Sequence, residues 1–260
     1  MDARGQMIDP ADPFSGSNAE TDDLLWLLER KNRLYRCLHD AHTVLAVSET
    51  FRKLHEDAAI SARLVTNENG LELFDILPRV PVPEGKVRVM HIGGMSVHKG
   101  YDLLQAVVTD GHFNNLEVTV IDHALEPGET YHDRWGTTPV KFMAKTRQGE
   151  VNQLYSQMDV LVAPSLWPES FGLVTREALY AGVWVIASDR GSVGDAIEDG
   201  VSGRVVDVSS PEGLTLALRE VDANPEPYTR QRPSIKPRLA ETQATECVEL
   251  YRSILRNPVD

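Results

Sequence analysis

The chain has 260 residues, 26 of them basic and 39 acidic, for a formal net charge of −13. With 42% hydrophobic and 25% charged residues, 18 Gly and 15 Pro, it cannot be collagen-like, mucin-like or wholly disordered, and it has room for one large domain or two small ones. An acidic balance of this size argues against a protein that coats nucleic acid or an anionic membrane, while leaving room for a local basic pocket.

Residues 1–20, rich in Asp, Pro, Gly and Ser, read as a loop, with acid and proline where a signal peptide needs an apolar core. A helix is expected from Thr21, with Thr21 as N-cap and Leu24, Leu27, Leu28, Leu34, Tyr35 and Leu38 as its apolar stripe. TVLAVS (43–48) reads as a short strand, ETFRKLHED (49–57) as a helix and Leu64–Thr66 as another short strand. Asn67, Asn69 and Gly70 then make a turn, and PRVPVPEG (78–85) reads as a linker. Cys37 and Cys247 lie far apart without metal or disulfide spacing and read as reduced thiols. No apolar run approaches the ~18 residues of a membrane span, so the expectation is a cytoplasmic protein whose membrane contact is at most peripheral.

Beyond Gly85 the pattern becomes regular. Strands are expected at 87–92, 116–121, 140–143, 160–163, 184–187 and 204–206, and helices at 101–108, 150–158, 171–181, 193–198 and 211–221. The basic stretch YTRQRPSIKPR (228–238) reads as a solvated connector, followed by a helix over 239–255. Short apolar strands alternating with helices imply an α/β fold, a doubly wound Rossmann-like parallel sheet covered on both faces. Ligands of such sheets bind at the carboxyl ends of the strands.

Two strand-to-helix loops carry candidate chemistry. In HIGGMSVHKG (91–100), Gly93 and Gly94 let an anion approach the backbone amides, and Lys99 supplies a mobile positive charge. The same residues fit a plain tight turn with a solvated lysine. Asp122 also ends the second strand of the series where a ribose-binding acid of a dinucleotide domain would sit, so a nicotinamide or flavin module stays open. In APSLWPESFGLVTREALYAG (163–182), Ser170, Phe171, Gly172 and Leu173 fall at a helix start, whose free amides favour negative charge. Glu169 and Glu177 form Glu-x7-Glu, two acceptors suited to the vicinal hydroxyls of a sugar or ribose; capping and solvation are the alternative reading. His91 and His123 have no metal spacing and read as core and loop residues.

The run LYSQMDVLVAPSLWPESFGLVTREALYAGVWVIASDRGSVGDAIEDGVSGRVV (154–206) resembles the donor-binding half of a family 4 glycosyltransferase of the GT-B fold. HIGGMSVHKGYDLL resembles that family's Gly-Arg…Lys-Gly loop, AHTVLAVSETFRK the end of its N-terminal domain, and VTNENGLE its interdomain segment. ARGQMID (3–9) also resembles a segment near the end of that first domain. The resemblance covers roughly 40–225 and implies three parts: a remnant of the acceptor domain (1–80), a nucleotide-sugar donor-binding domain (81–227) and a connector with a C-terminal helix (228–260). By the same resemblance Glu169 holds donor-sugar hydroxyls and Glu177 the ribose. The amides of Phe171, Gly172 and Leu173 face the sugar and diphosphate, and Lys99 neutralises the leaving diphosphate. The activity implied is hexosyl transfer (EC 2.4) in polysaccharide biosynthesis, with retention of configuration and without a metal or other cofactor.

Two departures from the family pattern stand out. Gly94 occupies the place of the family's arginine, which leaves one diphosphate cation absent; a protonated His98 is a candidate replacement, a surface histidine the plainer reading. The regular βα series of the first domain is missing, so TVLAVS looks like one strand of a sheet whose other strands lie elsewhere: in a rearranged sheet, a homo-oligomer or a separate N-terminal-domain partner. A non-catalytic nucleotide-sugar-binding or assembly module is therefore the alternative function, and a dinucleotide-binding oxidoreductase domain a more distant one.

Overall fold

The computed structural model describes residues 21–58 and 60–256, so ARGQMID and the rest of 1–20 lie outside the described residues. Helix α1 (Thr21–Asp40) leads into β1 (Thr43–Ala46), α2 (Glu49–Asp57) and β2 (Arg63–Thr66). Of the expected α1 stripe only Leu27 and Leu38 are half-buried, while Leu24, Leu28, Leu34 and Tyr35 face outward. TVLAVS finds its partner within the chain. The helix between β1 and β2 reverses the path, and the two strands pair in parallel from Thr43 opposite Arg63 to Ala46 opposite Thr66. The Ser48 hydroxyl caps α2 by accepting the Phe51 N–H at 3.1 Å and donates to the Ser170 carbonyl at 2.7 Å, joining this small unit to the larger domain.

That domain is a seven-stranded sheet in the order β5-β6-β4-β3-β7-β8-β9. Its strands are β3 (Val87–His91), β4 (Leu116–Asp122), β5 (Thr130–Trp135), β6 (Thr138–Ala144), β7 (Val160–Ala163), β8 (Trp184–Ser188) and β9 (Gly203–Val206). Helices α3 (Tyr101–Gly111), α4 (Val151–Ser156), α5 (Leu173–Tyr180) and α6 (Glu212–Ala223) make the crossovers; α7 (Glu226–Thr229) and α8 (Ala240–Arg256) follow. Apart from β5, all pairings are parallel, and the order grows outward from β3 to β6 on one side and from β7 to β9 on the other. This is the doubly wound arrangement, with its reversal between β3 and β7. Strands β7 and β8 are apolar but for Ser188 because helices cover both faces; Val160, Leu161, Val162 and all of β8 are buried.

Three expectations need correction. The sheet is not purely parallel: β5 pairs antiparallel with β6 through a turn at Gly136 (φ +58°), and Tyr131 stacks on Phe142 with ring centroids 4.4 Å apart. Residues 193–198 form turns, not a helix. Gly194 packs against Val205 and the Ser188 carbonyl, Ser192 hydrogen-bonds Asp195, and Ile197 N–H donates back three residues to Gly194 at 2.9 Å. The basic stretch 228–238 is no free connector. Its Arg232 N–H donates to the Gly182 carbonyl at 3.1 Å, Ile235 N–H to Leu179 at 3.3 Å, and the Arg232 guanidinium lies 4.4 Å from the Trp184 ring centre.

The expected linker is pinned as well. Arg79 donates to the carbonyls of Tyr155 at 2.8 Å and Gly182 at 3.0 Å, and Val80 N–H to Ser156 at 2.9 Å. Beneath it Asp159, fully buried, takes Arg88 in a two-pronged pair at 2.7 and 2.8 Å and accepts the Arg88 N–H at 2.9 Å. Gln243 of α8 bonds the Gly70 N–H at 2.9 Å and Asn69 at 3.0 Å, fixing the 67–71 turn beside the mouth of the sheet.

Candidate functional site

The β3–α3 loop leaves the sheet through Gly93 and Gly94 (φ +65°), makes one 3-10 turn at Val97–Lys99 and enters α3 through Gly100 (φ +76°). A Cβ on Gly100 would fall 2.0 Å from the Pro164 carbonyl oxygen, so glycine is required where this loop touches the β7–α5 loop. Leu166 N–H donates to the His98 carbonyl at 3.0 Å and fastens the two loops side by side. Lys99 Nζ thereby meets Glu169 Oε1 at 2.9 Å, and Ser165 Oγ donates to the same oxygen.

The β7–α5 loop is rigid for a backbone reason. Glu169 N–H donates to the Arg190 carbonyl at 3.3 Å, and its carbonyl accepts the Ser192 N–H at 2.7 Å. Gly172 (φ +75°) then turns the chain into α5, and the space of its missing side chain is taken by Thr175 Oγ1 and the Val193 backbone, both 2.9 Å from a Cβ there. The first turn of the eight-residue α5, Leu173 to Thr175, borders the same space as Lys99.

A cavity of about 310 Å³ lies between the two loops, at the carboxyl ends of β3 and β7 where the strand order reverses. Gly93, Lys99, Glu169, Ser170, Phe171, Gly172 and Leu173 line it. Gly94 and Glu177 do not. Gly94 turns away toward His123, whose Nδ1 lies 3.1 Å from a Cβ placed there. Glu177 stands half-buried further along α5, its Oε2 accepting the hydroxyl of buried Tyr155 at 2.8 Å. Burial raises the Glu177 pKa, and the Tyr155 hydrogen bond only partly opposes this. A carboxylate raised in this way favours folding below its unfolded pKa and loses that advantage as pH rises through the folded value. Glu177→Gln is accordingly expected to match or exceed the native melting temperature at pH 7. Melting curves of the two proteins across pH check this.

The sequence reading missed Asn69, His91, Ser165, Thr175 and Val193 as cavity residues. Asn69 arrives from the interdomain turn, and nothing local to Ser165, Thr175 or Val193 marks them. His98 lies off the cavity wall, its ring centre 5.9 Å from that of Trp167; burial first, and Lys99 second, lower its pKa. Asp122 is buried, with its carboxylate occupied by the Ala124 N–H at 2.9 Å and the Tyr131 hydroxyl at 3.5 Å, and it lies off the cavity wall. Among the described residues no helix is long and apolar enough to cross a membrane, and no three His, Cys, Asp or Glu side chains gather as a metal site.

The sequence profile of the glycosyl transferases group 1 matches residues 75–236, from the pinned linker through the strap over β8. The chain belongs to that family. Among its curated relatives, an uncharacterised 41.2 kDa protein from the cps region of Klebsiella pneumoniae is 30% identical over 63% of this chain and 47% of its own length. The phosphatidyl-myo-inositol mannosyltransferase of Mycolicibacterium smegmatis is 28% identical over 67% of this chain and 46% of its own. This glycosyl transferases group 1 chain thus spans about half the length of the curated relatives it matches. In fold it is similar to GT-B glycosyltransferases. The sucrose-phosphate synthase of Thermosynechococcus elongatus superimposes with a TM-score of 0.69 at 17% identity, over 96% of this chain and 66% of that one. HepE of Anabaena, solved in complex with UDP and glucose, gives 0.63 at 18% identity over 90% and 68%.

Proposed function

We propose that the chain is the donor-binding half of a retaining family 4 glycosyltransferase, which binds a nucleotide-diphosphate sugar and transfers the glycosyl group to an acceptor. The observation that carries this reading is the meeting of Lys99 and Glu169, 2.9 Å apart, in one cavity at the start of α5. Lys99 offers the cation that a leaving diphosphate needs, and the Gly93 turn and first α5 amides offer fixed dipoles to its oxygens. Glu169, braced by Ser165 and by its own backbone, accepts hydroxyls of the sugar, and Glu177 the ribose. As the bond from the anomeric carbon to the diphosphate oxygen breaks, the electron pair leaves with the diphosphate against Lys99. The acceptor oxygen forms the new bond and passes its proton to the departing diphosphate oxygen. Positioning and charge stabilisation do this work, with no metal called for.

The acceptor side belongs to a facing domain. Relatives named for a cps region and as a phosphatidyl-myo-inositol mannosyltransferase support glycan assembly as the setting. A non-catalytic nucleotide-sugar-binding module is the second reading. Thermal-shift titration with UDP-, GDP- and ADP-sugars beside NAD tests the donor site: stabilisation by one of the nucleotide sugars and none by NAD is expected, and the reverse overturns it. Radiolabelled transfer or donor hydrolysis, with and without a candidate partner, separates the two readings.

A further inference from the structure

His91 ends β3 at the reversal of the sheet and is 1% exposed. Its Nδ1 lies 3.0 Å from the Val162 carbonyl, which places the proton of the neutral ring there as a donor. Its Nε2 is buried without a hydrogen-bond partner among the described residues. Met90 before it and Leu161 and Val162 on the adjoining strand are all buried and apolar, so packing alone would be served better by an apolar side chain. The ring lies directly under the glycine turn: a Cβ on Gly93 would sit 2.7 Å from His91 Nε2 and 2.9 Å from Lys99 Cβ. His91, Gly93 and Lys99 share one cavity wall.

Two charged groups act on the ring. Lys99, from the turn after β3, opposes its protonation; Glu169, from the β7–α5 loop, favours it, as do the Val162 carbonyl on β7 and the Gly94 backbone. Burial is the largest influence and lowers the imidazole pKa. A nucleotide-diphosphate sugar changes that balance. It brings an anion to the Gly93 turn and engages Lys99, so the main charge opposing an imidazolium is neutralised while a new opposite charge arrives.

We propose that His91 is the second cation of the donor site: Nε2 takes up a proton from solvent when a nucleotide-diphosphate sugar binds, and the imidazolium faces the diphosphate from beneath Gly93. The inference rests on the donor-site reading above. Nδ1–H stays on Val162, no covalent bond changes, and the proton returns to solvent when the diphosphate leaves. Donor affinity then rises as pH falls from the complex's His91 pKa to that of the empty protein, and levels off below it.

Calorimetric titration with the nucleotide sugar that binds, in buffers of different ionisation enthalpy near pH 7, counts the protons; the diphosphate diester does not titrate in that range. The native protein is expected to take up about 0.5–1 proton per ligand, and His91→Gln and His91→Phe none, with affinity about tenfold lower at pH 6.5 and flat with pH. No uptake by the native protein overturns the proposal. So does undiminished uptake in folded variants, which would assign the proton to another group such as His123. If neither variant folds, the ring-nitrogen NMR shifts of His91 in the native protein decide: movement to the imidazolium position on adding the nucleotide sugar supports the proposal, and unchanged shifts overturn it. Failure of every nucleotide sugar to bind refutes the donor-site reading and this inference with it, whereas binding without uptake refutes only this inference.

Discussion

Lys99→Ala is expected to weaken nucleotide-diphosphate binding on the order of 100-fold, about 2.7 kcal/mol, with little change in the melting temperature of the empty protein. The two halves of this expectation come from different physics. In the empty site Lys99 pairs with Glu169 while its side chain is 34% exposed, and ion pairs of that kind contribute about 0–1 kcal/mol to stability. On the donor-site reading it faces a diphosphate in a cavity whose lining holds no second lysine or arginine that could substitute. Lys53→Ala, on the exposed face of α2, should leave binding unchanged. Isothermal titration of both variants is the check, and native affinity in Lys99→Ala would remove the diphosphate from this loop.

Asp159→Ala should act on stability instead, by about 3–5 kcal/mol, a large part of the ~5–15 kcal/mol of a typical domain. The carboxylate is fully buried, holds both prongs of Arg88 and lies 3.9 Å from Arg79 Nε, so its removal leaves two guanidinium groups without their counter-charge. Arg79 in turn fastens the 78–85 segment to α4 and to the α5–β8 turn, so the loss should loosen the route between the small unit and the sheet. Urea unfolding with a midpoint shift at unchanged slope would show a local loss of stability. A change below about 1 kcal/mol would mean that the pair merely offsets its own desolvation.

The parallel core was legible because both faces of its strands are covered: VRVMH, VLVA and WVIAS are apolar runs of strand length between turn residues, which period and composition reveal together. β5 was not legible. Five of its six positions are exposed, TYHDRW has neither alternation nor an apolar run, and only Trp135 packs inward. Residues 193–198 misled in the opposite sense, since VGDAIE has helical spacing but is held in turns by tertiary contacts at Gly194 and Asp195. TVLAVS looked unpartnered because its mate, RLVT, is four residues long and half-buried, too short a signal to pair from sequence.

At the site, Gly93, Lys99 and residues 169–173 could be placed from motif chemistry, because glycine, a cation and a helix start each have a local reason to meet an anion. Asn69 and His91 could not. Asn69 reaches the cavity only through the fold-back of the 67–71 turn onto α8, and His91 differs from an ordinary core histidine only in which of its nitrogens lacks a partner. Glu177 was legible as half of an acidic pair, but its hydrogen bond to Tyr155, which joins α4 to α5, was not.

A crystal structure of the protein with a bound nucleotide diphosphate tests the donor-site reading most directly. That reading predicts the diphosphate on Lys99 Nζ and the Gly93 turn, with the Lys99–Glu169 pair opened and the ribose hydroxyls on Glu177. A nucleotide seated elsewhere, or one whose ribose is held by Asp122 while Lys99 stays paired with Glu169, would contradict it.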